Sequence, residues 1–207
     1  MRQNRKNKRF VYLISPNKIK NKDFYNKLHQ VLSSKKIGFF QLRLKKENIK
    51  NKIFIGKKIK KICKKYQVKF LINDNPMVAK KVNADGCHLG QKDMNILKAR
   101  KILKNKIIGI TCHNSINLAK KAVADGASYL AFGAFYSSKT KKVKYKASLK
   151  ILSLAKKLTN TPIVAIGGIK DTNYKKLLLN KANFLAISSY IWNNKKLNPK
   201  EAINKII

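Results

Sequence analysis

Asp74 and Asp93 are the two carboxylates in this chain whose positions could support chemistry. Asp74 follows Asn73 after the apolar run Val68 to Ile72, and Asp93 follows Gly86 to Leu89 in the segment ADGCHLGQKD from Ala84. Mg2+ takes few protein carboxylates, keeps waters and shares phosphate oxygens, so two aspartates after neighbouring strands match its needs. Each also has a purely structural reading. Asn73-Asp74 can be a turn ahead of Pro76, a residue suited to a first helical turn, and Asp93 can cap a helix that starts at Met94. His88 lies inside an apolar run and reads as a hydrogen-bonded interior histidine, not a ligand.

Groups suited to anions accompany the pair. Gln41, Arg43 and Lys45 alternate with Leu42 and Leu44, and period 2 turns the three polar groups to one face. Cations on such a face suit a phosphorylated substrate. The segment SSKTKK, Ser137 to Lys142, offers hydroxyls and ammonium groups that could hold a diphosphate and meet its developing charge. Two glycines in AIGGI, Ala165 to Ile169, allow close backbone approach to a ligand, and Ser188 and Ser189 follow the last apolar run. These two groups predict a second phosphate apart from the first. Two phosphorylated pieces and one Mg2+ point to group transfer with diphosphate departure. No spacing supports a Ser-His-Asp or Cys-His nucleophile.

The elements that must carry these groups are short apolar runs separated by lysine-rich amphipathic stretches. Runs at 10–14, 38–42, 68–72, 86–89, 107–111, 129–132, 163–166 and 184–187 predict eight strands. Helical stretches are expected over 22–34, 50–66, 76–82, 94–104, 115–124, 148–159, 171–179 and 197–206. Nearly continuous apolar strands suit a parallel sheet covered by helices. Eight such units predict a (β/α)8 TIM barrel in one compact domain, whose functional groups gather at the strands' C-terminal ends. A doubly wound open sheet is the alternative, but no GxGxxG follows the first strand. Asn83-Ala-Asp-Gly86, Val123 to Ala127 and Lys181 to Phe184 echo one another. They read as helix-to-strand turns, which makes Asp85 and Asp125 structural.

The chain has 207 residues, 49 Lys and Arg against eight Asp and Glu, and a formal charge of +41. Arginine occurs at only five positions, whereas readers of nucleic acid favour it for bidentate contacts. Lysine spread through every polar segment reads as solvated surface with incidental polyanion affinity, so no specific nucleic-acid partner is expected. Residues 1–9 form a basic head and 10–207 the catalytic barrel. Cys63, Cys87 and Cys112 make no metal pattern, and their odd number suits a reducing, cytoplasmic setting. No apolar run reaches the length of a membrane span. Barrels of this type often pair into homo-oligomers, but the lysine pattern marks no interface.

Taken together, QLRLK at 41–45, FLINDN at 70–75, ADGCHLGQKD at 84–93, YSSKTK at 136–141 and AIGGI at 165–169 resemble the thiamine-phosphate synthase family, in the family's order, from about Val11 to Ile191. The resemblance implies a TIM barrel that joins hydroxymethylpyrimidine diphosphate to hydroxyethylthiazole phosphate, or its carboxylated form, with Mg2+ as cofactor. By resemblance, Gln41, Arg43 and Asn73 hold the pyrimidine diphosphate, Lys45 contacts the diphosphate, and Asp74 and Asp93 hold Mg2+. Thr111 stands for a serine near the pyrimidine. Ser138, Thr140 and Lys141 hold the diphosphate, and Gly167, Ser188 and Ser189 take the thiazole phosphate. Lys141, Arg43 and Thr111 are the expected catalytic groups. Leu44 replaces a family glutamate, on the face turned away from the ligand. Ala134 and Ser137 replace prolines, and Val143 to Ala147 lacks the usual proline and glycine, so this loop is expected to be less rigid. Two rivals remain: a thiazole tautomerase of the same fold, and a non-catalytic nucleic-acid-binding protein.

Overall fold

Eight parallel strands close into a barrel in strict chain order. They are β1 (Val11–Ile14), β2 (Ile37–Leu42), β3 (Lys69–Asn73), β4 (Gly86–Leu89), β5 (Ile107–His113), β6 (Tyr129–Gly133), β7 (Ile163–Ile166) and β8 (Phe184–Ile187). The computed structural model describes residues 9–19, 22–137 and 145–206. Around the sheet lie α1 (Lys22–Leu32), α2 (Ile49–Lys65), α3 (Pro76–Lys81), α4 (Ile96–Leu103), α5 (Ile116–Ala124), α6 (Lys150–Leu158), α7 (Tyr174–Leu179), α8 (Ser189–Trp192) and α9 (Pro199–Lys205). The expected (β/α)8 barrel is therefore the observed fold. The one-turn helix α8 was not expected, because its four residues are too few to show a period.

Strand alternation sorts side chains into two concentric cores. Tyr12, Leu71, Tyr129, Ala131, Val164 and Ala186 fill the barrel with Phe39 and Phe184. Their neighbours Val11, Phe40, Phe70, Leu130, Ile163 and Leu185 face outward into the larger layer beneath the helices. Because both faces are apolar, the strands read as continuous hydrophobic runs. The same alternation carries Leu42 and Leu44 into the outer core, so Leu44 does point away from the polar face of its strand.

Asparagine does most of the helix capping. Asn48, Asn75, Asn95 and Asn198 each accept a backbone N–H at the start of α2, α3, α4 and α9. An uncharged cap keeps the hydrogen bond of aspartate without the carboxylate that this chain has largely lost. The cap of α4 is Asn95, and the helix begins at Ile96, so the structural reading of Asp93 as a cap at Met94 is corrected.

At the N-terminal end of the barrel the Ala-Asp-Gly echo takes a sharper form. Asp85, Ser128 and Asn183 each precede an even-numbered strand. Their side chains accept the N–H of Phe70, Ile108 and Ile163, at 2.8, 3.0 and 2.8 Å. The equivalents of Asp85 are thus Ser128 and Asn183. Asp125 instead ends α5, ahead of Gly126 at φ 82°.

Candidate active site at the barrel mouth

Six of the eight carboxylates have local structural roles. Asp23 pairs with Lys27 at 2.6 Å, Glu47 accepts from Asn51, and Asp85 pairs with Lys60 at 2.6 Å. Asp125 ends α5, Asp171 accepts from the Thr172 N–H, and Glu201 completes the capping box of α9. Asp74 and Asp93 remain, and they meet. Asp74 has φ 63°, a left-handed conformation that aspartate tolerates better than most residues, and its N–H donates to the His88 carbonyl at 2.8 Å. Its carboxyl stands within hydrogen-bonding reach of Asp93. Burial and the Asp93 charge raise its pKa, and Lys45 opposes them. Asp93 accepts the Gly90 N–H at 2.7 Å.

Lys45 Nζ lies 3.5 Å from Asp74 Oδ2. A cleft of about 200 Å3 opens there, lined by the polar Lys45, Lys52, Asn73, Asp74 and Asn75 and by the apolar Leu42, Leu44 and Ile72. Lys52, from α2, is a further cation that sequence reasoning passed over. Among the described residues no group of three or more His, Cys, Asp and Glu side chains could hold a metal ion. Two neighbouring carboxylates, Asp74 at the cleft and Asp93 beside it, do fit a hard cation that completes its shell with water and phosphate oxygens.

Gln41 on β2 and Asn73 on β3 meet side chain to side chain. The Gln41 amide is 2% exposed and donates to Asn73 Oδ1 at 2.5 Å. Ser15, also 2% exposed, ties three strand ends together. Its N–H donates to the Gln41 carbonyl, its hydroxyl accepts the Arg43 N–H, and its own carbonyl accepts from the Ser188 hydroxyl. Sequence reasoning passed over Ser15, although its place directly after the first apolar run was the available signal. The Arg43 guanidinium donates to Asn17 Oδ1 at 3.2 Å, and its charge reaches His88.

His88 is the hydrogen-bonded interior histidine that its apolar run implied. Its Nε2 lies 2.9 Å from Thr111 Oγ1 and its Nδ1 lies 2.8 Å from the Tyr129 hydroxyl. Burial lowers its pKa to about 4; the Asp93 charge opposes this and Arg43 adds to it. The ring is therefore neutral near pH 7. Gln91 donates to the Thr111 carbonyl, which ties the loop after β4 to the end of β5.

Gly167 follows β7 at φ 106° and Ser188 follows β8. Those strands pair through Ile166 and Ala186. The glycines have a role that the sequence did not reveal. A Cβ on Gly167 would lie 2.3 Å from the Ala134 Cβ, and one on Gly168 would lie 2.3 Å from the Ser137 carbonyl. The absent side chains thus make room for the segment after β6, whose Phe135 and Tyr136 N–H groups bond to Ile166 and Gly167. Ser189 opens α8 beside this end of the barrel. Ser138, Thr140 and Lys141 lie outside the described residues.

Comparison with known proteins bears on the family and the fold. The family model described as thiamine monophosphate synthase matches residues 11–191. The chain is 75% identical over 206 residues, the full length of both proteins, to thiamine-phosphate synthase of Pelagibacter ubique. It is 37% identical over 183 residues to the thiamine-phosphate synthase of Nitrosomonas eutropha, covering 88% of this chain and 86% of that one. The solved thiamine phosphate pyrophosphorylase of Pyrococcus furiosus superposes with a TM-score of 0.85 at 27% identity, covering 98% of this chain and 96% of the other. With its closed eight-stranded barrel and a match that takes in every strand, the chain belongs to the thiamine monophosphate synthase family.

Proposed function

We propose that this chain is a transferase that joins hydroxymethylpyrimidine diphosphate to hydroxyethylthiazole phosphate, giving thiamine phosphate and diphosphate. The observation that carries the reading is the meeting of Asp74, Asp93 and Lys45 next to Asn73, whose side chain accepts from the buried Gln41 amide. That arrangement supports a reading in which a cation and a diphosphate lie beside polar groups able to recognise a heteroaromatic ring.

In this mechanism the bond from the pyrimidine methylene carbon to the diphosphate oxygen breaks first, and the electron pair leaves with the diphosphate. The electron-rich aminopyrimidine carries the resulting positive charge. The thiazole nitrogen then donates its lone pair to the methylene carbon. Gln41 and Asn73 orient the pyrimidine, and Arg43 and Lys45 meet the growing charge on the leaving group, with Ser138, Thr140 and Lys141 assigned to the same anion. Thr111 contacts the pyrimidine, and Gly167, Ser188 and Ser189 hold the thiazole phosphate. Asp74 and Asp93 would hold Mg2+, which when bound supplies positive charge to the departing diphosphate. Positioning and electrostatics thus do the work, and no protein nucleophile enters.

Purified protein given both substrates and Mg2+ is expected to release diphosphate and form thiamine phosphate, with turnover lost on chelation. Folded protein that releases no diphosphate, and instead only shifts double bonds within a carboxylated thiazole, would establish the tautomerase rival.

A further inference from the structure

Four polar side chains form an unbroken row inside the barrel, from Tyr12 on β1 to Thr111 on β5. The Tyr12 and Tyr129 hydroxyls are 2.8 Å apart, Tyr129 reaches His88 Nδ1 at 2.8 Å, and His88 Nε2 reaches Thr111 Oγ1 at 2.9 Å. The row occupies a shaped place. Both tyrosines are buried among apolar groups. The Tyr129 and His88 rings stack with centroids 5.7 Å apart at 12°. Gly109 is bare beneath Tyr129, where a Cβ would come within 1.8 Å of the ring.

Counting protons gives the row a direction. A neutral imidazole has one N–H. If Nδ1 carried it, Tyr129 would accept that proton and donate its own to Tyr12. The buried Tyr12 hydroxyl would then have no acceptor among the described residues. In the other direction every proton finds one. Tyr12 donates to Tyr129, Tyr129 donates to Nδ1, and Nε2–H donates to Thr111. One proton is left over, that of the Thr111 hydroxyl, at the C-terminal end of the strands where substrate must lie.

We propose that Tyr12 and Tyr129 are positioning residues that hold His88 as its Nε2–H tautomer and so present the Thr111 hydroxyl as a donor to an unprotonated ring nitrogen of the substrate. The inference rests on the transferase reading, which supplies a nitrogen heteroaromatic. A site built as a donor discriminates against an analogue that lacks the acceptor. The row would therefore set ring specificity and alignment while leaving the diphosphate contacts to other residues.

Nitrogen NMR of histidine-labelled, ligand-free protein tests the tautomer, and calorimetry tests recognition. The probes are hydroxymethylpyrimidine diphosphate and analogues in which one or other ring nitrogen is replaced by C–H. The wild type should show the Nε2–H form and bind one of the two analogues about tenfold more weakly, the size of one neutral hydrogen bond. Tyr129→Phe keeps the ring on Gly109 but removes the oxygen. It should mix the tautomers and reduce that penalty to about threefold or less. Thr111→Ser should keep the penalty and Thr111→Val should abolish it.

Tyr12→Phe gives an independent reading. It should lower the melting temperature by removing a donated bond, whereas a row running the other way would lose an orphaned proton and gain stability. An Nδ1–H tautomer in the wild type overturns the proposal. So does a Tyr129→Phe protein that keeps both tautomer and discrimination while losing only stability, as a packing role alone would require. A wild type that binds the pyrimidine diphosphate but transfers nothing would refute the reaction and leave these two measurements to decide the row.

Discussion

At the scale of single residues, the mouth combines charge in excess with a few fully specified polar contacts. Burial and the neighbouring Asp93 raise the cost of ionising Asp74, and Lys45 at 3.5 Å opposes them only in part. Replacing Asp93→Asn should lower turnover at limiting Mg2+ by about a hundredfold or more, given the several kcal/mol a metal contributes to a departing anion. The denaturant midpoint should stay near that of the wild type. Unchanged turnover under those conditions would remove Asp93 from the site. The Gln41–Asn73 contact predicts a non-additive pair of variants. Asn73→Leu leaves the buried Gln41 amide without its acceptor and should cost about 1–3 kcal/mol in equilibrium unfolding. Adding Gln41→Leu should recover most of that loss, since no polar group is then stranded. Additive losses would mean that the two amides do not depend on one another. Both amides were legible as candidates from the sequence, because Asn73 follows an apolar run and Gln41 shares an alternating polar face with Arg43 and Lys45. Their mutual hydrogen bond was not, since 32 positions separate them.

At the scale of elements, one end of the barrel carries the chemistry and the other carries stability. Cationic side chains at the stable end satisfy carbonyls that helix C-termini leave unpaired. Arg9 donates to the Tyr66 and Gln67 carbonyls after α2. Arg100 donates to the Lys104 and Lys106 carbonyls after α4, and Lys36 donates to the Ile203 and Asn204 carbonyls at the end of α9. Asp85 locks the β3 edge of this end. Its burial alone would raise its pKa, but the Lys60 ammonium and the Phe70 N–H prevail and hold it below the ordinary carboxylate range. Because the folded pKa is the lower one, its contribution to stability is fully present above about pH 4 and fades as pH falls through the folded value. Asp85→Asn should therefore destabilise the protein by about 1–3 kcal/mol at pH 7. The gap from wild type should narrow below about pH 4. A gap constant down to pH 2 would argue against the ion pair. Element order and type were readable from apolar runs. Helix starts were less so: α4 was expected from Met94, but its cap is Asn95 and it begins at Ile96.

At the scale of the whole molecule, the charge of +41 meets little compensation, with three ion pairs among the described residues. Lysines repel one another across the surface, so added salt should stabilise the fold by screening. The melting temperature should rise between about 20 mM and about 500 mM NaCl. A fall would mean that surface ion pairs dominate. The same charge gives the nucleic-acid reading its motive, yet phosphate contacts made by scattered lysines weaken steeply with salt. Among the described residues no helix is long and apolar enough to cross a membrane. We propose that residues 1–9 form a basic head on a barrel of residues 10–207, with Arg9 already tied to the barrel through Tyr66 and Gln67.

Local pattern determined the strands, their parallel order and the polar groups at their ends, because strand period and helix period are properties of a few consecutive residues. Only closure of the barrel decided which of those groups meet. Tyr12 and Tyr129 touch across 117 positions, and Ser15 and Ser188 across 173. Such pairings depend on register and on the curvature of the sheet, which no window of sequence contains. The clearest instance is the pair of glycines after β7, which read from sequence as space for a ligand. The folded chain adds a second reason for the missing side chains, since a Cβ on Gly167 or Gly168 would meet Ala134 or the Ser137 carbonyl after β6.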